Sequence, residues 1–387
     1  MNILFINNLY PHPNKGGIER VTMLISKFLT QNGYKCYTAF LTSSEYDNSW
    51  EFLKGFHIQD RWDANFFNNL LIDNSIEIIV NQGHLWYTPF IQPIANAIGV
   101  KYIGFHHGTT KFKVVSFCDA IKDYGLLIGL AIQLTYPIYK YRSLRRMRQV
   151  HRNSYKMADL TLVLCKSGIN EYIKQLGIHS DARKIDFINN PLSFETTLSK
   201  DDLDKKENIM LVVARLENEK RIDIIIRAWK SIATEGWKMI IVGDGKAKVK
   251  LQSLVDKLAV HNIQFEGAQN SEGYYEKAKI FGMTSRSEGF GMTLTESFQK
   301  GVVPICFDSF PAARDIIDEG KNGFLVSDNS ITDFASKLEI LINNPTKLKE
   351  MAVNALNKSK DYELSIIGNK WISILTKLKN NESFTIN

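Results

Sequence analysis

The chain has 387 residues, 44% of them hydrophobic, with a formal net charge of +7 and a pI near 9.0. That is too long for one ordinary core and suits two domains, and the apolar share argues against disorder. The positive balance points to anionic company, a nucleotide, a phospholipid surface or nucleic acid, without choosing among them.

No signal peptide opens the chain, because Met1–Asn8 is too short for an apolar signal core and lacks a basic flank. The strand Ile3–Asn8 ends in a polar, Pro-containing loop, and a helix follows from about Ile18 to Gln31 with Val21, Leu24, Ile25, Phe28 and Leu29 on one face. Strands at Lys35–Thr42 and Ile76–Gly83, a helix at Pro89–Gly99 and a strand at Lys101–Gly108 continue the alternation. Such a rhythm indicates a largely parallel sheet covered on both faces. Residues Phe112–Arg152 break it, being helical and partly basic. The apolar stretch Tyr124–Tyr139 inside them falls short of the ~20 residues a membrane span needs and is interrupted by Gln133 and Pro137. Regularity returns with a strand at Leu160–Lys166, a helix at Ser167–Leu176 and a strand beginning at Lys184.

The charged run Lys200–Asn208 has no apolar periodicity and reads as a linker. Beyond it the rhythm restarts with strands at Asn208–Leu216, Met239–Gly245, Ile263–Ala268 and Val302–Asp308, helices between them, and a helical region over Ile331–Lys379. The fold class is therefore α/β, with two similar halves whose ligands belong at the carboxyl ends of the strands. Cys36, Cys118, Cys165 and Cys306 are scattered; free buried thiols in a reducing cytoplasm explain them better than a zinc site or a disulfide framework.

The most informative segment is Thr284–Asp308. It holds Glu288 and Glu296 with seven residues between them, and Gly289-Phe290-Gly291 leads into a helix start near Met292 and Thr293. Glycines let the backbone approach a ligand, and free amides at a helix start suit a diphosphate. Glu296, one turn into that helix, is better placed to accept hydrogen bonds from hydroxyls than to meet phosphate. The plain alternative is a Gly-rich turn before a helix, with solvated glutamates. Arg215 and Lys220 follow the strand at Asn208–Leu216, where two cations could neutralise a departing diphosphate, or could simply be a solvated pair. Near the N-terminus, Lys15-Gly16-Gly17-Ile18-Glu19-Arg20 joins the first strand to its helix. Gly16 and Gly17 could bring amides up to a phosphate or sugar, or form a plain helix start; neither a dinucleotide fingerprint nor a Walker loop is present.

In this order, Gly16 to Arg20, Ala214-Arg215-Leu216 with Lys220, Ile241-Val242-Gly243-Asp244-Gly245, Phe265 with Gly267, and Glu288-Gly289-Phe290-Gly291 with Glu296 resemble glycosyltransferase family 4 over nearly the whole chain. The resemblance implies a GT-B fold of two facing Rossmann-like domains, here 1–195 (with a helical basic insert at 112–152) and 206–365, and a last helix, 366–387, that packs back on the first. It implies a retaining transfer from a nucleotide diphosphate sugar, more readily a UDP-sugar than a GDP-sugar, onto a glycan or lipid-linked acceptor, with no metal and no other cofactor. Arg215 and Lys220 would meet the diphosphate, Glu296 the ribose, Glu288 the donor sugar, and Gly291 to Thr293 phosphate or sugar. A histidine near the sugar is implied within His106-His107, and His107, directly before Gly108, is the preferred one. Ser309–Ile317 departs from the family, where a Gly-rich turn is usual, so the choice of sugar stays open.

Alternatives on the same architecture are a nucleotide-sugar epimerase and a non-catalytic nucleotide-sugar-binding protein. The latter would have no need of both glutamates and both cations. Lys140, Arg142, Arg145, Arg146, Arg148 and Arg152, next to apolar residues from Tyr124, suggest peripheral contact with the inner face of an anionic plasma membrane, or a solvated helix face. No motif for nucleic acid accompanies them.

Overall fold

A computed structural model describes residues 1–12, 16–42, 52–110, 126–178 and 184–384. Lys15, Cys118 and most of the first half of the expected insert lie outside the described residues. The chain forms two compact units. One takes the described residues up to Pro191 together with the stretch from Glu363, and the other takes Leu192–Tyr362.

Among the described residues, the first unit holds a parallel sheet of strands β1 (Asn2–Asn7), β2 (Lys35–Phe40), β3 (Lys54–His57), β4 (Ile78–Gln82), β5 (Lys101–His106), β6 (Leu160–Val163) and β7 (Ile185–Phe187), in the order β3-β2-β1-β4-β5-β6-β7. β1 is apolar over Ile3–Ile6 and buried from Ile3 to Asn7, because helices cover both faces of the sheet. Helix Gly17–Gln31 buries Val21, Ile25 and Leu29, the stripe that its spacing predicts. Helix Leu364–Lys379 also belongs to this unit. Trp371 meets Phe5 and Phe105 edge-on at 6.5 and 5.7 Å, and Gly368 lies so close to Phe28 that a Cβ there would collide with its ring.

The second unit repeats the plan with β8 (Ile209–Val213), β9 (Lys238–Val242), β10 (Ile263–Gly267), β11 (Ile280–Met283), β12 (Val303–Phe307) and β13 (Phe324–Val326), in the order β10-β9-β8-β11-β12-β13. Its core joins Met210, Ile225, Trp229, Ile241, Ile305 and Phe334. The glycines of Ile241–Gly245 have a steric reason. Gly243 (φ 139) and Gly245 (φ 156) run against the backbone that leaves β8, and a Cβ on them would strike the carbonyl oxygens of Ala214 and Leu216.

The run Lys200–Asn208, expected as a linker, is packed into the second unit instead. Lys200–Lys205 is a 3-10 turn with Leu203 buried. The buried ammonium of Lys206 donates to the carbonyls of Tyr275, Glu276 and Ala278 at 2.8–3.0 Å, while burial pulls its pKa down to about 7. These bonds close the C-terminal end of helix Glu272–Lys277. The chain passes between the units at Pro191–Leu192, where the Leu192 amide donates to the Tyr362 carbonyl at 2.8 Å.

The basic stretch lies on helix Leu126–Met157. Arg148 donates to the carbonyl of Gln175 at 2.8 Å and Arg152 to those of Leu176 and Gly177, so both serve the C-terminal end of helix Lys166–Leu176. Lys140, Arg142, Arg145 and Arg146 are exposed beside exposed Ile138, Tyr139 and Tyr141. No helix among the described residues is long and apolar enough to cross a membrane. Cys36, Cys165 and Cys306 are free and buried, and burial pushes the Cys36 thiol up to about 12.

Candidate functional site

In a doubly wound sheet the first strand has neighbours whose connections leave on opposite faces, and its carboxyl end opens a crevice. In the second unit that place is between β8 and β11. The turn Asn218–Lys220 follows β8, and the loop Thr284–Gly291 follows β11. The structure brings Lys220 and Glu288 together there: Nζ lies 2.5 Å from Oε1, with both side chains largely buried. Arg215 does not join them. Its guanidinium is 77% exposed and, among the described residues, reaches Glu219 alone, at 3.6 Å.

Gly291 occupies the left-handed region (φ 83) immediately before helix Met292–Gln299. The ring of Phe310 lies 3.1 Å from where a Cβ on Gly291 would stand, so conformation and packing both require glycine. The first amides of the helix therefore start at the end of the loop that carries Glu288, the partner of Lys220. Gly289 is half-buried; Met292 and Thr293 are half-buried in the first turn. Phe290 turns inward, its ring packed edge-on against Tyr362 at 5.8 Å, and Glu296 is buried, 4% exposed.

The residue that organises this crevice, and that sequence reasoning did not single out, is Arg221. It adopts φ 50 just before helix Ile222–Lys230 and is 9% exposed. Its guanidinium donates to the carbonyls of Thr284 (3.0 Å) and Ser285 (3.2 Å) and to Asp328 (2.5 Å), and lies 5.1 Å from the centre of the Phe307 ring. Thr284 Oγ1 donates back to the carbonyls of Lys220 and Arg221, and Ser309 Oγ donates to that of Ser285 at 2.6 Å. The ends of β11 and β12 are thus strapped to the turn that carries Lys220. Only the position of Arg221 next to Lys220 could have hinted at this.

In the first unit the corresponding crevice lies beside β1 and β4, and a cavity of about 490 Å³ occupies it. Asn8 beyond β1, Gln82 at the end of β4, and His106 with His107 at and beyond the end of β5 all line it. His107 is the more accessible of the two histidines. Its Nε2 hydrogen-bonds Gln82 Oε1, and burial together with the neighbouring His106 pulls its pKa down to about 3, so the ring is neutral. His106 is buried, bonded to the Thr109 carbonyl at 3.0 Å and stacked on Tyr172 at 5.2 Å. Burial and the nearby His106 hold His151 neutral as well, at about 3, and its Nδ1 pairs with the Tyr172 hydroxyl at 2.8 Å. Gly16 and Gly17 are exposed at the start of helix Gly17–Gln31, and the two residues after them, Ile18 and Glu19, reach the cavity wall. Sequence reasoning gave no role to Glu19, His84, Trp86 or His151, which also line it.

Among the described residues no group of three or more His, Cys, Asp or Glu is placed to hold a metal ion.

The fold has solved counterparts. It matches Anabaena HepE in complex with UDP (TM-score 0.74, 15% identity, 97% of this chain and 100% of that one). It also matches sucrose-phosphate synthase of Thermosynechococcus elongatus (TM-score 0.77, 13% identity, 99% and 100%). The fold is GT-B, shared with these structures. Residues 193–358 match the family Glycosyl transferases group 1.

Among curated proteins, the chain is 30% identical over 237 residues to the GalNAc-alpha-(1->4)-GalNAc-alpha-(1->3)-diNAcBac-PP-undecaprenol alpha-1,4-N-acetyl-D-galactosaminyltransferase of Campylobacter jejuni, covering 60% of this chain and 64% of that protein. It is 31% identical over 205 residues to the lipopolysaccharide 1,6-galactosyltransferase of Salmonella typhimurium, covering 51% and 56%. It is 32% identical over 190 residues to the amylovoran biosynthesis glycosyltransferase AmsD of Erwinia amylovora, covering 48% and 53%. The chain thus spans between about half and two thirds of the length of these relatives.

Proposed function

We propose that the chain is a glycosyltransferase that moves a sugar from a nucleoside diphosphate sugar, a UDP-sugar first among them, onto a hydroxyl of a glycan or lipid-linked acceptor in the assembly of a bacterial surface polysaccharide. The observation that carries this reading is the Lys220–Glu288 pair at the β8/β11 crevice, on the loop that opens helix Met292–Gln299. As the C–O bond to the diphosphate lengthens, negative charge grows on the leaving group. The Lys220 ammonium and the helix amides are held where they lower that cost, and they need no reorganisation during the step. Arg215, free to swing in from solvent, adds a second cation once the diphosphate arrives. Glu288 keeps Lys220 in place before the donor binds and turns to the donor sugar when the diphosphate takes its partner, while Glu296 serves the ribose. His107 offers a neutral imidazole to sugar hydroxyls, and Gly16 and Gly17 offer backbone amides.

In this reading the transfer retains anomeric configuration and needs neither metal nor cofactor. The enzyme works at the cytoplasmic face of the plasma membrane, and Lys140, Arg142, Arg145 and Arg146 hold it near a lipid-linked acceptor.

Melting temperature measured against UDP-, GDP-, ADP- and CMP-sugars and NAD, with and without chelator, tests the reading. A shift with one class of nucleotide sugar that chelator leaves unchanged supports it. A shift with NAD alone overturns it.

A further inference from the structure

A cavity of about 230 Å³ lies at the amino ends of the second unit's strands. Asn208 precedes β8, Trp237 precedes β9, Lys279 precedes β11 and Gly301 precedes β12, and all four line it. Lys220 and Glu288 follow the carboxyl ends of β8 and β11, so the two places stand at opposite ends of the same strands. The turn Lys200–Lys205 forms one wall. Leu203 fits there against Gly301, where a Cβ would come within 2.6 Å of the Leu203 side chain.

Most of the remaining wall is apolar: Trp237, with Leu341 and Leu348 from helices Ile331–Asn343 and Pro345–Ser359. A cavity of about 150 Å³ with such a lining stays dry and takes up a molecule of the size of benzene. This one has room for a phenylalkyl group or a chain of about eight carbons.

The charge at the wall is one-sided. Asp204 is taken by Lys349, at 2.7 and 2.8 Å. Lys279 donates to Asn208 Oδ1 at 2.7 Å, and the buried Lys206, 6% exposed, donates to the three carbonyls that end helix Glu272–Lys277. Neither ammonium has a carboxylate partner among the described residues; Glu272 and Glu276 are held by Lys300. Burial pulls the Lys206 pKa down to about 7; Glu276 offsets part of this, and Lys300 and Lys279 add to it. A carboxylate in the cavity supplies the anion these two cations lack. A doubly charged phosphate would instead lose its water against Trp237, Leu341 and Leu348, and a neutral apolar molecule would leave the cations as they are.

We propose that this cavity is a binding site for a small apolar monocarboxylate, an alkyl or aryl acid of the size of octanoate or 3-phenylpropanoate, with its carboxylate at Lys279 and its apolar group among Trp237, Leu341 and Leu348. Binding here is independent of the sugar transfer proposed above, since neither Lys220 nor Glu288 lines this cavity.

Titration calorimetry on the full chain at about pH 6.5, below the pKa of Lys206, tests this with octanoate and 3-phenylpropanoate. Octanamide and 3-phenylpropanamide keep the shape and lose the charge; acetate and phosphate keep charge and lose the apolar group. At least one acid should bind, about fivefold or more tighter than its amide, while acetate and phosphate give no saturable heat. Lys279→Gln should weaken the acid several-fold and leave the amide unchanged. Ala352→Leu, which adds bulk at the wall, should abolish binding of the acid. Melting curves without ligand report on the folding of both variants. Lys279 is half-buried and its replacement keeps a donor for Asn208, so that variant decides the matter if Ala352→Leu does not fold. Three results would overturn the site: neither acid binds, an amide, acetate or phosphate binds as tightly as the acid, or either folded variant binds the acid as wild type does.

Discussion

The two units share a strand plan, with β1 between β2 and β4 in one and β8 between β9 and β11 in the other, yet their crevices carry opposite chemistry. In the second unit an ammonium and a carboxylate are paired across the crevice, and a buried guanidinium ties the surrounding loops together. In the first unit the crevice is an open cavity lined by neutral imidazoles, the amides of Asn8 and Gln82, and Glu19. Topology fixes where a ligand can sit, but the residues at the strand ends decide what charge it may carry. The second unit's crevice holds a paired cation and anion, whereas the first unit's holds imidazoles that burial keeps neutral.

The largest effect should come from the pair that defines the anionic side. Lys220→Met should slow sugar transfer by about a thousandfold or more, since a charge that stabilises a leaving group acts on the transition state. Glu288→Ala should abolish transfer. Single-turnover rates with labelled donor measure both. Wild-type rates in either variant would remove that residue from the mechanism and with it half of the contrast between the crevices.

Next comes the frame that holds the pair. Arg221→Ala leaves the carbonyls of Thr284 and Ser285 without their donor and Asp328 without its partner, and should cost about 3 kcal/mol of stability. Urea unfolding measures it. Arg221→Lys retains the charge but not the planar fork, so it should recover only part of the loss. Full recovery would mean that charge alone matters here and that the fork geometry does not position Lys220.

How much of this was legible in the sequence differs between the two crevices. The strand–helix alternation follows from apolar runs, and it predicted β1, β2, β4, β5, β6, β7, β8, β9, β10 and β12. It missed β3, β11 and β13, which have four, four and three residues and too little length to show a pattern. Glu288 and Lys220 were legible because glycines and charges cluster around them in a short span. Arg221 was not: its work is done by backbone carbonyls 63 and 64 residues away. Lys206 was misread within a charged run, since nothing local shows that three carbonyls at the end of a helix await its ammonium.

The neutral side of the contrast predicts a pH effect of intermediate size. His107 and His151 have folded pKa values of about 3, whereas an unfolded histidine titrates near 6.5. As pH falls below about 6.5 the unfolded chain takes up protons that the folded chain refuses, so stability drops until the folded pKa is reached. Each such histidine should contribute a slope of up to about 1.4 kcal/mol per pH unit in that window. Urea unfolding of wild type and His151→Gln between pH 7 and 5 should show the shallower slope in the variant. Equal slopes would mean that His151 takes up its proton in the folded protein as readily as in the unfolded one, so that burial does not hold it neutral.

The smallest effect concerns where the first unit keeps its cations. It has many, yet none among the described residues lines its cavity. Arg148 and Arg152 are engaged at the C-terminal end of helix Lys166–Leu176, where Arg152→Gln should cost up to about 1 kcal/mol. Lys140, Arg142, Arg145 and Arg146 are exposed. Replacing these four with glutamine should leave the melting temperature nearly unchanged and reduce flotation with vesicles containing phosphatidylglycerol. Arg152→Gln should do the reverse, lowering the melting temperature by a few degrees and leaving flotation intact. If both variants float like wild type, the exposed cations only solvate the helix, and the positive charge of the first unit has no part in bringing an acceptor to the protein.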